Sequence, residues 1–127
     1  MEENKKYLKI AALCSQIINA VRLVNGEDDL EIFDLLTEEE QKARARNVEI
    51  VINDPNMSQE AQHVEWLKCM HSLGWKWGEI TDRKNKIHNC LVSYEDLPFL
   101  QKLKDHLFIQ TVKFYKMEVD RNGCANW

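Results

Sequence analysis

Glycine, proline, clustered cysteine and long apolar runs are all scarce in this chain. Its 127 residues include two Pro and four Gly, and no repeat or low-complexity stretch interrupts them. No apolar run approaches the roughly 18 residues of a membrane span, and the acidic N-terminus lacks the apolar core of a secretory signal. We therefore expect a cytoplasmic protein of one domain over residues 1–127, with its core at about 7–117 and a tail at 118–127.

The cysteine spacing and the net charge exclude further classes of protein. The four Cys are far apart and form no C-x-x-C pair, which argues against a disulfide framework and against a zinc site. A formal net charge of −4 argues against DNA or RNA binding and against an anionic membrane. The catalytic signatures G-x-S-x-G and H-E-x-x-H and the Walker glycine loop are missing. We expect no metal, no cofactor and no enzymatic activity, with a nucleotide-degrading enzyme as a weaker alternative.

Apolar periodicity predicts two helices in the first half of the chain. Apolar residues recur at three- and four-residue steps over residues 7–24, as on a core-facing helix. The segment Glu27–Leu36 is acidic with apolar insertions and is interpreted as a packed connecting loop or a single turn. Thr37 and Glu40 have capping-box spacing. They predict a second helix that runs to about Ile52.

Two further helices are predicted on either side of a long loop. Ser58 is a suitable N-cap for a helix over Gln59–Leu73, and Gly74 ends it. The helical period then disappears over residues 75–97, and Pro98 fits the first turn of a final helix. The sequence therefore predicts a mainly α fold. It is a compact bundle of about four helices with a short β-like hairpin or long structured loop before the last one.

The segment His63–Pro98 concentrates aromatic residues beside glycines. It holds three of the four Trp and two of the four Gly. In an extended conformation Trp75 and Trp77 point to the same side. Two indoles on one face form a platform for a flat ligand such as a nucleobase. The alternative, that both cover the third helix as part of the core, stays open.

Charged residues follow this Trp pair directly. Arg83, Lys84 and Lys86 can hold phosphates, and Asp82 can accept hydrogen bonds from a ribose or an amino group. A charged run in a loop is also typical of a solvated turn. Among the histidines, His88 is the better functional candidate, since it lies in the loop.

Motifs of this segment occur in a fixed order. They are His63-x-x-Trp66, Gly74-Trp75-x-Trp77-Gly78, Asp82, Lys86-x-His88 and Leu91-Val92-x-Tyr94-x-x-Leu97-Pro98. In this order they resemble the ryanodine receptor repeat, or RyR domain. The resemblance extends over most of the chain, from about Lys9 to Tyr115.

Departures from the family pattern fall mainly in the loop. Trp77 stands where the family has Tyr, which keeps an aromatic ring. Asn89 and Ser93 stand where the family has Pro, and Ser15 stands where it often has His. Because proline restricts the backbone, the loss of two prolines predicts a looser loop.

The resemblance implies a mostly α-helical fold and a function in binding. Stand-alone RyR domains of bacteria and phages accompany signalling systems built on nucleotide-derived messengers. The implied function is non-enzymatic binding of a cyclic nucleotide or ADP-ribose-type molecule, and in a phage a sponge that sequesters an immune messenger in the host cytoplasm. The implied ligand-binding residues are Trp75, Trp77, Asp82, Arg83, Lys84, Lys86, His88 and Tyr94. Since the family's repeats occur in pairs, a homodimer or higher homo-oligomer is expected.

A second hypothesis is a protein–protein interaction module. Exposed Trp and Tyr beside Arg also suit the centre of a protein interface. In that case the aromatic loop docks a partner and binds no small molecule.

Overall fold

The chain folds as a mainly α-helical bundle, in agreement with the sequence prediction. The structure is a computed structural model that describes residues 2–54 and 56–122. Within these ranges the α-helices are α1 (Glu2–Val24), α2 (Glu38–Asn53), α3 (Gln59–Ser72) and α4 (Phe99–Asn122). Single 3-10 turns lie at Phe33–Leu35 and Tyr94–Asp96, and two short strands, β1 (Lys76–Trp77) and β2 (Ile87–His88), lie between α3 and α4.

Local sequence signals set the helix ends. The Thr37 hydroxyl accepts from the Glu40 backbone N–H at 3.1 Å, and the Glu40 carboxylate accepts from the Thr37 backbone N–H, so the predicted capping box is present. The Ser58 hydroxyl likewise accepts from the Ala61 backbone N–H at 3.0 Å. Gly74 follows α3 with a φ of 89°, a left-handed conformation that only glycine adopts at little cost.

The loop between α3 and α4 contains a small parallel strand pair. Lys76 pairs with Ile87 and Trp77 with His88. A hairpin would join antiparallel strands, and the antiparallel pairing found here is a single bridge between Asp82 and Ile87. Of the two predicted alternatives, the structure therefore has the long structured loop, and its later part pairs with its start.

The two positions that lack the family's prolines are held by hydrogen bonds. The Asn89 backbone N–H donates to the Thr81 hydroxyl at 3.1 Å, a bond that proline could not make. The Ser93 hydroxyl donates to the Asp96 carboxylate at 3.0 Å and lies at the start of the second 3-10 turn. These contacts constrain the segment that was predicted to be loose.

Two groups of buried apolar side chains form the core. The larger joins α1, α2 and α4 and includes Ile10, Val48, Val51, Ile109 and Val112. The smaller lies under the loop and contains Met70, Trp75 and Leu91. Burial of each large apolar side chain contributes about 1.5–3 kcal/mol.

Helix α1 is apolar on more than its core-facing side. The segment Lys5–Val24 has a mean hydropathy of 1.3 and is long enough to cross a membrane by length and composition, although the sequence predicted no such run. Core helices of soluble proteins meet the same criteria. Here α1 packs against α2 and α4 and buries Ile10, Ala11 and Cys14.

The end of the chain is described only in part. Helix α4 continues to Asn122, so the backbone of residues 118–122, predicted as tail, is helical. Residues 123–127 of that predicted tail lie outside the described residues.

Candidate functional site

A cavity of about 120 Å³ lies between the four helices. Its walls come from α1, α2, α3 and α4, from Glu31 in the loop after α1, and from the loop before α4. Among the described residues its lining includes four cationic side chains, Arg22, Arg44, Arg83 and Lys104, and two carboxylates, Glu31 and Asp105. A buried space with this many charges is unusual, because charged groups are costly to remove from water.

Glu31 is the centre of an ion-pair cluster in the cavity wall. Arg44 donates to it twice, with its Nη2 at 2.8 Å from Oε1 and its Nε at 3.4 Å from Oε2. The Arg83 Nη1 lies 3.8 Å from Glu31 Oε1. The Ser15 hydroxyl adds a hydrogen bond at 3.2 Å. One carboxylate therefore faces two guanidinium groups, and Arg83 also donates through Nε to Asp29 Oδ1 at 2.8 Å, so that each guanidinium has a carboxylate partner.

A side chain of helix α1 fixes the backbone of Glu31. Asn19 on α1 accepts from the Glu31 backbone N–H at 3.1 Å and donates to its backbone carbonyl at 2.8 Å. Burial raises the pKa of Glu31, but the charge and hydrogen bonds of Arg44 outweigh burial and hold that pKa below its usual value. Glu31 is therefore ionised at neutral pH.

Arg22 and Lys104 bring positive charge from the ends of two other helices. The Arg22 Nη1 donates to the Asn19 side chain at 2.7 Å, and burial with the charge of Arg83 lowers the Arg22 pKa. Lys104 is only 4% exposed and donates to both oxygens of Glu27, at 3.1 and 3.2 Å. Of these two cations, Arg22 has no carboxylate within ion-pair distance among the described residues.

His63 and Asp105 form a second polar group in the wall. The buried His63 ring donates through Nε2 to the Val92 carbonyl at 2.7 Å. Its Nδ1 lies 3.6 Å from Asp105 Oδ2. Burial lowers the pKa of His63, so the ring is neutral and Nδ1 is an acceptor. Burial also raises the pKa of Asp105 to about 7, against the opposing charge of Lys104.

Aromatic rings close one side of the cavity. Trp66 on α3 lies between two histidines, stacked on His63 at 5.4 Å between centroids and edge-on to His88 at 5.2 Å. His88 Nδ1 accepts from the Cys90 backbone N–H at 3.0 Å, which places the proton of the neutral ring on Nε2. Burial, together with the charge of Arg83, lowers the His88 pKa to about 4.

Several buried polar atoms of the wall have no hydrogen-bond partner within the described part of the chain. They are Arg44 Nη1, Gln62 Oε1 and Asp105 Oδ2. An unsatisfied buried donor or acceptor costs about 1–3 kcal/mol, so native proteins retain few of them. All three residues line the same cavity. This concentration indicates a site that a polar ligand or water completes.

Two of the residues predicted from sequence line this cavity. These are Arg83 and His88. The Trp pair forms no shared exposed platform, because Trp75 is 4% exposed and packs in the core while Trp77 is 57% exposed. For Trp75, the interpretation as core cover fits the structure, and for Trp77 a ligand-binding role stays a prediction.

The other predicted residues lie in the loop away from the cavity lining. Asp82 accepts from Asn85 and closes a turn. Lys84 is exposed, and Lys86 donates to the Leu73 carbonyl at 2.8 Å with a φ of 57°. Tyr94 donates to Gln59 at 2.7 Å and lies under the Lys102 ammonium. A ligand-binding role for these four residues also stays a prediction.

Sequence reasoning missed most of the cavity lining. Arg22, Arg44, Gln62 and Asp105 lie on amphipathic helices, where charged and amide residues are typical of a solvated face. A polar residue inside the apolar stripe is the signal that could have found them. Ser15, which directly follows Cys14 on α1, is such a residue.

The described thiols are buried and are not activated as nucleophiles. Cys14, Cys69 and Cys90 are buried and free. Burial raises the pKa of each thiol, for Cys14 to about 12 and for Cys90 to about 11, so none is a reactive thiolate at neutral pH. No group of three or more His, Cys, Asp or Glu in the described ranges could hold a metal ion.

Comparison with known proteins does not assign this chain to a family. No family model matches it, and neither a curated protein nor a solved structure does. The resemblance to the RyR domain therefore stays a prediction from the motifs.

Proposed function

We propose that the protein binds a nucleotide-derived small molecule in the charged cavity and leaves it chemically unchanged. The observation that carries the proposal is the charge of the cavity lining. Of the four cations there, Arg83 and Lys104 are paired with Asp29 and Glu27, whereas Arg22 has no carboxylate partner and Arg44 keeps an unpaired Nη1 among the described residues. Guanidinium groups with unused donors in a cavity wall favour an anionic ligand, because low-dielectric surroundings strengthen the attraction.

Arginine is suited to the phosphate of such a ligand. Arg44 Nη1 has no partner among the described residues, and Arg22 has only the neutral Asn19. Guanidinium groups bind phosphate through paired, charge-assisted hydrogen bonds. In the proposed complex both groups donate to the phosphate, while Glu31 keeps Arg44 oriented.

The messenger is a cyclic nucleotide or an ADP-ribose-type molecule, as the RyR resemblance implies. In a phage-encoded chain, binding sequesters an immune messenger in the host cytoplasm. Binding without catalysis is supported by the described thiols, which are buried and protonated. His63 and Asp105 are titratable groups in the cavity wall that can exchange protons with a ligand. The test therefore includes whether the ligand is recovered chemically unchanged.

Calorimetry tests the proposal directly. The protein is titrated with ADP-ribose, cyclic ADP-ribose isomers, cyclic dinucleotides, ATP and ADP, and bound ligand is recovered after denaturation. We expect tight binding and intact ligand. Arg22→Gln should weaken binding by about 10–100-fold, the loss of a charged hydrogen bond. The control is Arg46→Gln, on an exposed residue of α2, which should leave the affinity unchanged. Altered ligand would indicate an enzyme, and no binding by folded protein would refute the proposal.

A protein partner is the second candidate function. It is favoured by the exposed apolar side chains of the loop, Trp77 and Ile80, which are 57% and 81% exposed. Tryptophan in particular is frequent among the residues that dominate binding at the centre of protein interfaces. Binding of a partner that Trp77→Ala abolishes, with no small molecule bound, would support this function instead.

A homodimer is part of the main proposal. A shallow apolar groove between α1 and α4 supports it, with Leu13, Ile17 and the exposed Phe114 in its lining. Sedimentation equilibrium of the native protein and of Phe114→Glu tests it. A monomer at all concentrations would contradict the expected dimer without affecting ligand binding.

A further inference from the structure

Gln62 presents an unsatisfied acceptor to the cavity. Its side chain is 4% exposed, and its Oε1 has no hydrogen-bond partner within the described residues. Gln62 is on α3 and lines the cavity. A buried amide oxygen needs a donor, and a ligand can supply it.

Asp105 and His63 present further acceptors in the same wall. Asp105 Oδ2 has no hydrogen bond in the described structure. The 3.6 Å between this atom and His63 Nδ1 is longer than a hydrogen bond, so the two groups do not satisfy each other. Since His63 Nε2 already donates to Val92, His63 Nδ1 stays an acceptor. The unpaired acceptors of this wall therefore need hydrogen-bond donors from bound molecules.

A cationic donor without an acceptor, on Arg44, lines the same cavity. Arg44 uses Nε and Nη2 on Glu31, and its Nη1 remains unpaired within the described chain. A ligand that pairs with all of these groups carries an anion and at least two hydroxyl or amino donors. A phosphorylated sugar combines both features in a small volume.

The volume of the cavity limits how much of a ligand it can hold. At about 120 Å³ it is smaller than the roughly 300–1,000 Å³ of pockets that bury a whole drug-sized ligand. It has room for several water molecules, and hence for a compact polar group. A complete dinucleotide does not fit inside it as it stands.

We infer that the cavity encloses the phosphorylated sugar of the ligand, with Gln62 and Asp105 accepting from sugar hydroxyls and Arg44 donating to the phosphate. This inference rests on the proposed function and names the part of the ligand that is recognised. It makes the base a minor contributor to affinity. Specificity then comes from hydroxyl groups, since a site built to bind a hydroxyl rejects an analogue that lacks it.

The probes are ribose 5-phosphate, 2-deoxyribose 5-phosphate, inorganic phosphate and adenosine, measured by calorimetry beside the nucleotide panel. We expect ribose 5-phosphate to bind about tenfold or more tightly than the deoxy analogue and than phosphate. Adenosine should bind weakly or not at all. Equal affinity for the two sugars, or binding of adenosine and nucleotides without ribose 5-phosphate, would overturn the inference and leave the proposed function standing. Absence of binding by every probe and nucleotide would refute both.

Two variants assign the roles of the side chains. Gln62→Leu should reduce the preference for ribose over deoxyribose by about tenfold. It should keep or raise the thermal midpoint, because it removes an unsatisfied buried oxygen. Gln16→Leu makes the same change on an exposed residue of α1 that lines neither the cavity nor the apolar groove, and it should alter neither quantity. If Gln62→Leu leaves the sugar preference intact, and Asp105→Leu does so too, the assignment of these hydroxyl acceptors is wrong.

Discussion

The interior cavity and the exposed face of the loop before α4 use opposite chemistry. The cavity wall buries charges that are held by one another, as in the contact of Arg44 with Glu31 at 2.8 Å. The loop face, defined by Trp77, Ile80 and Lys84, leaves apolar and charged side chains in solvent. Scattered exposed apolar residues are ordinary on protein surfaces, whereas buried unsatisfied polar groups are not. The cavity is therefore the stronger candidate for a function in ligand binding.

Buried ion pairs seldom exist for stability alone. The cost of removing two charges from water offsets most of their attraction, and apolar replacements of similar volume are often neutral or stabilising. The cluster around Glu31 therefore stabilises the fold little more than apolar side chains of similar volume would. We infer that its use is to orient Arg44 and Arg83 toward a bound anion, which the variants below test.

The largest expected effect separates the two tryptophans that the sequence pairs. Trp75→Ala should lower the free energy of unfolding by about 3–5 kcal/mol, because it leaves a large hole against Met70 and Leu91. Chemical denaturation of the variant and the parent protein measures the change. A loss under about 1 kcal/mol would show that Trp75 is not part of the core and lies instead on the loop face with Trp77.

The next effect tests the ion-pair cluster of the cavity. Glu31→Gln should lower the free energy of unfolding by about 3 kcal/mol, since Arg44 loses its carboxylate partner and Arg83 keeps only Asp29. Added phosphate should stabilise this variant more than the parent, because a bound anion replaces the missing carboxylate. Glu39→Gln, on an exposed residue of α2, is the control. Equal stabilisation of the variant and the parent by phosphate would contradict anion binding at the cluster.

The third effect is a pH dependence that comes from Asp105. Its pKa is raised to about 7 in the folded protein, so between about pH 4 and pH 7 the folded state holds a proton that the unfolded state has lost. The contribution of Asp105 to stability therefore falls as the pH rises through this window. His88, whose folded pKa is about 4, contributes in the opposite direction because its unfolded state binds the proton first.

Comparison of the parent with Asp105→Asn separates the contribution of the Asp105 carboxyl to stability from those of the histidines. The difference in unfolding free energy, parent minus variant, should fall by about 2–4 kcal/mol from about pH 4 to pH 7. Urea denaturation at several pH values measures it, and both proteins carry His63 and His88, so their contributions cancel. A flat difference would show that burial does not raise the pKa of Asp105.

The fold was predictable from local signals, and the cavity was not. The capping residues Thr37 and Ser58 and the left-handed Gly74 act within one turn of chain, so their effects can be read from the sequence. The cavity depends on which residues of distant helices meet. Arg44 and Glu31 are separated by 13 residues and Lys104 and Glu27 by 77, and nothing local marks either pair.

The smallest expected effect concerns the loop face. Trp77→Ala should change the free energy of unfolding by no more than about 0.5 kcal/mol, because the indole is 57% exposed. If the cavity is the ligand site, this variant should also keep the nucleotide affinity of the parent protein, as measured by calorimetry. A loss of about tenfold or more would show that the ligand extends from the cavity to the loop face. The two regions would then form one site, with the base stacked on Trp77 and the phosphate held by the arginines.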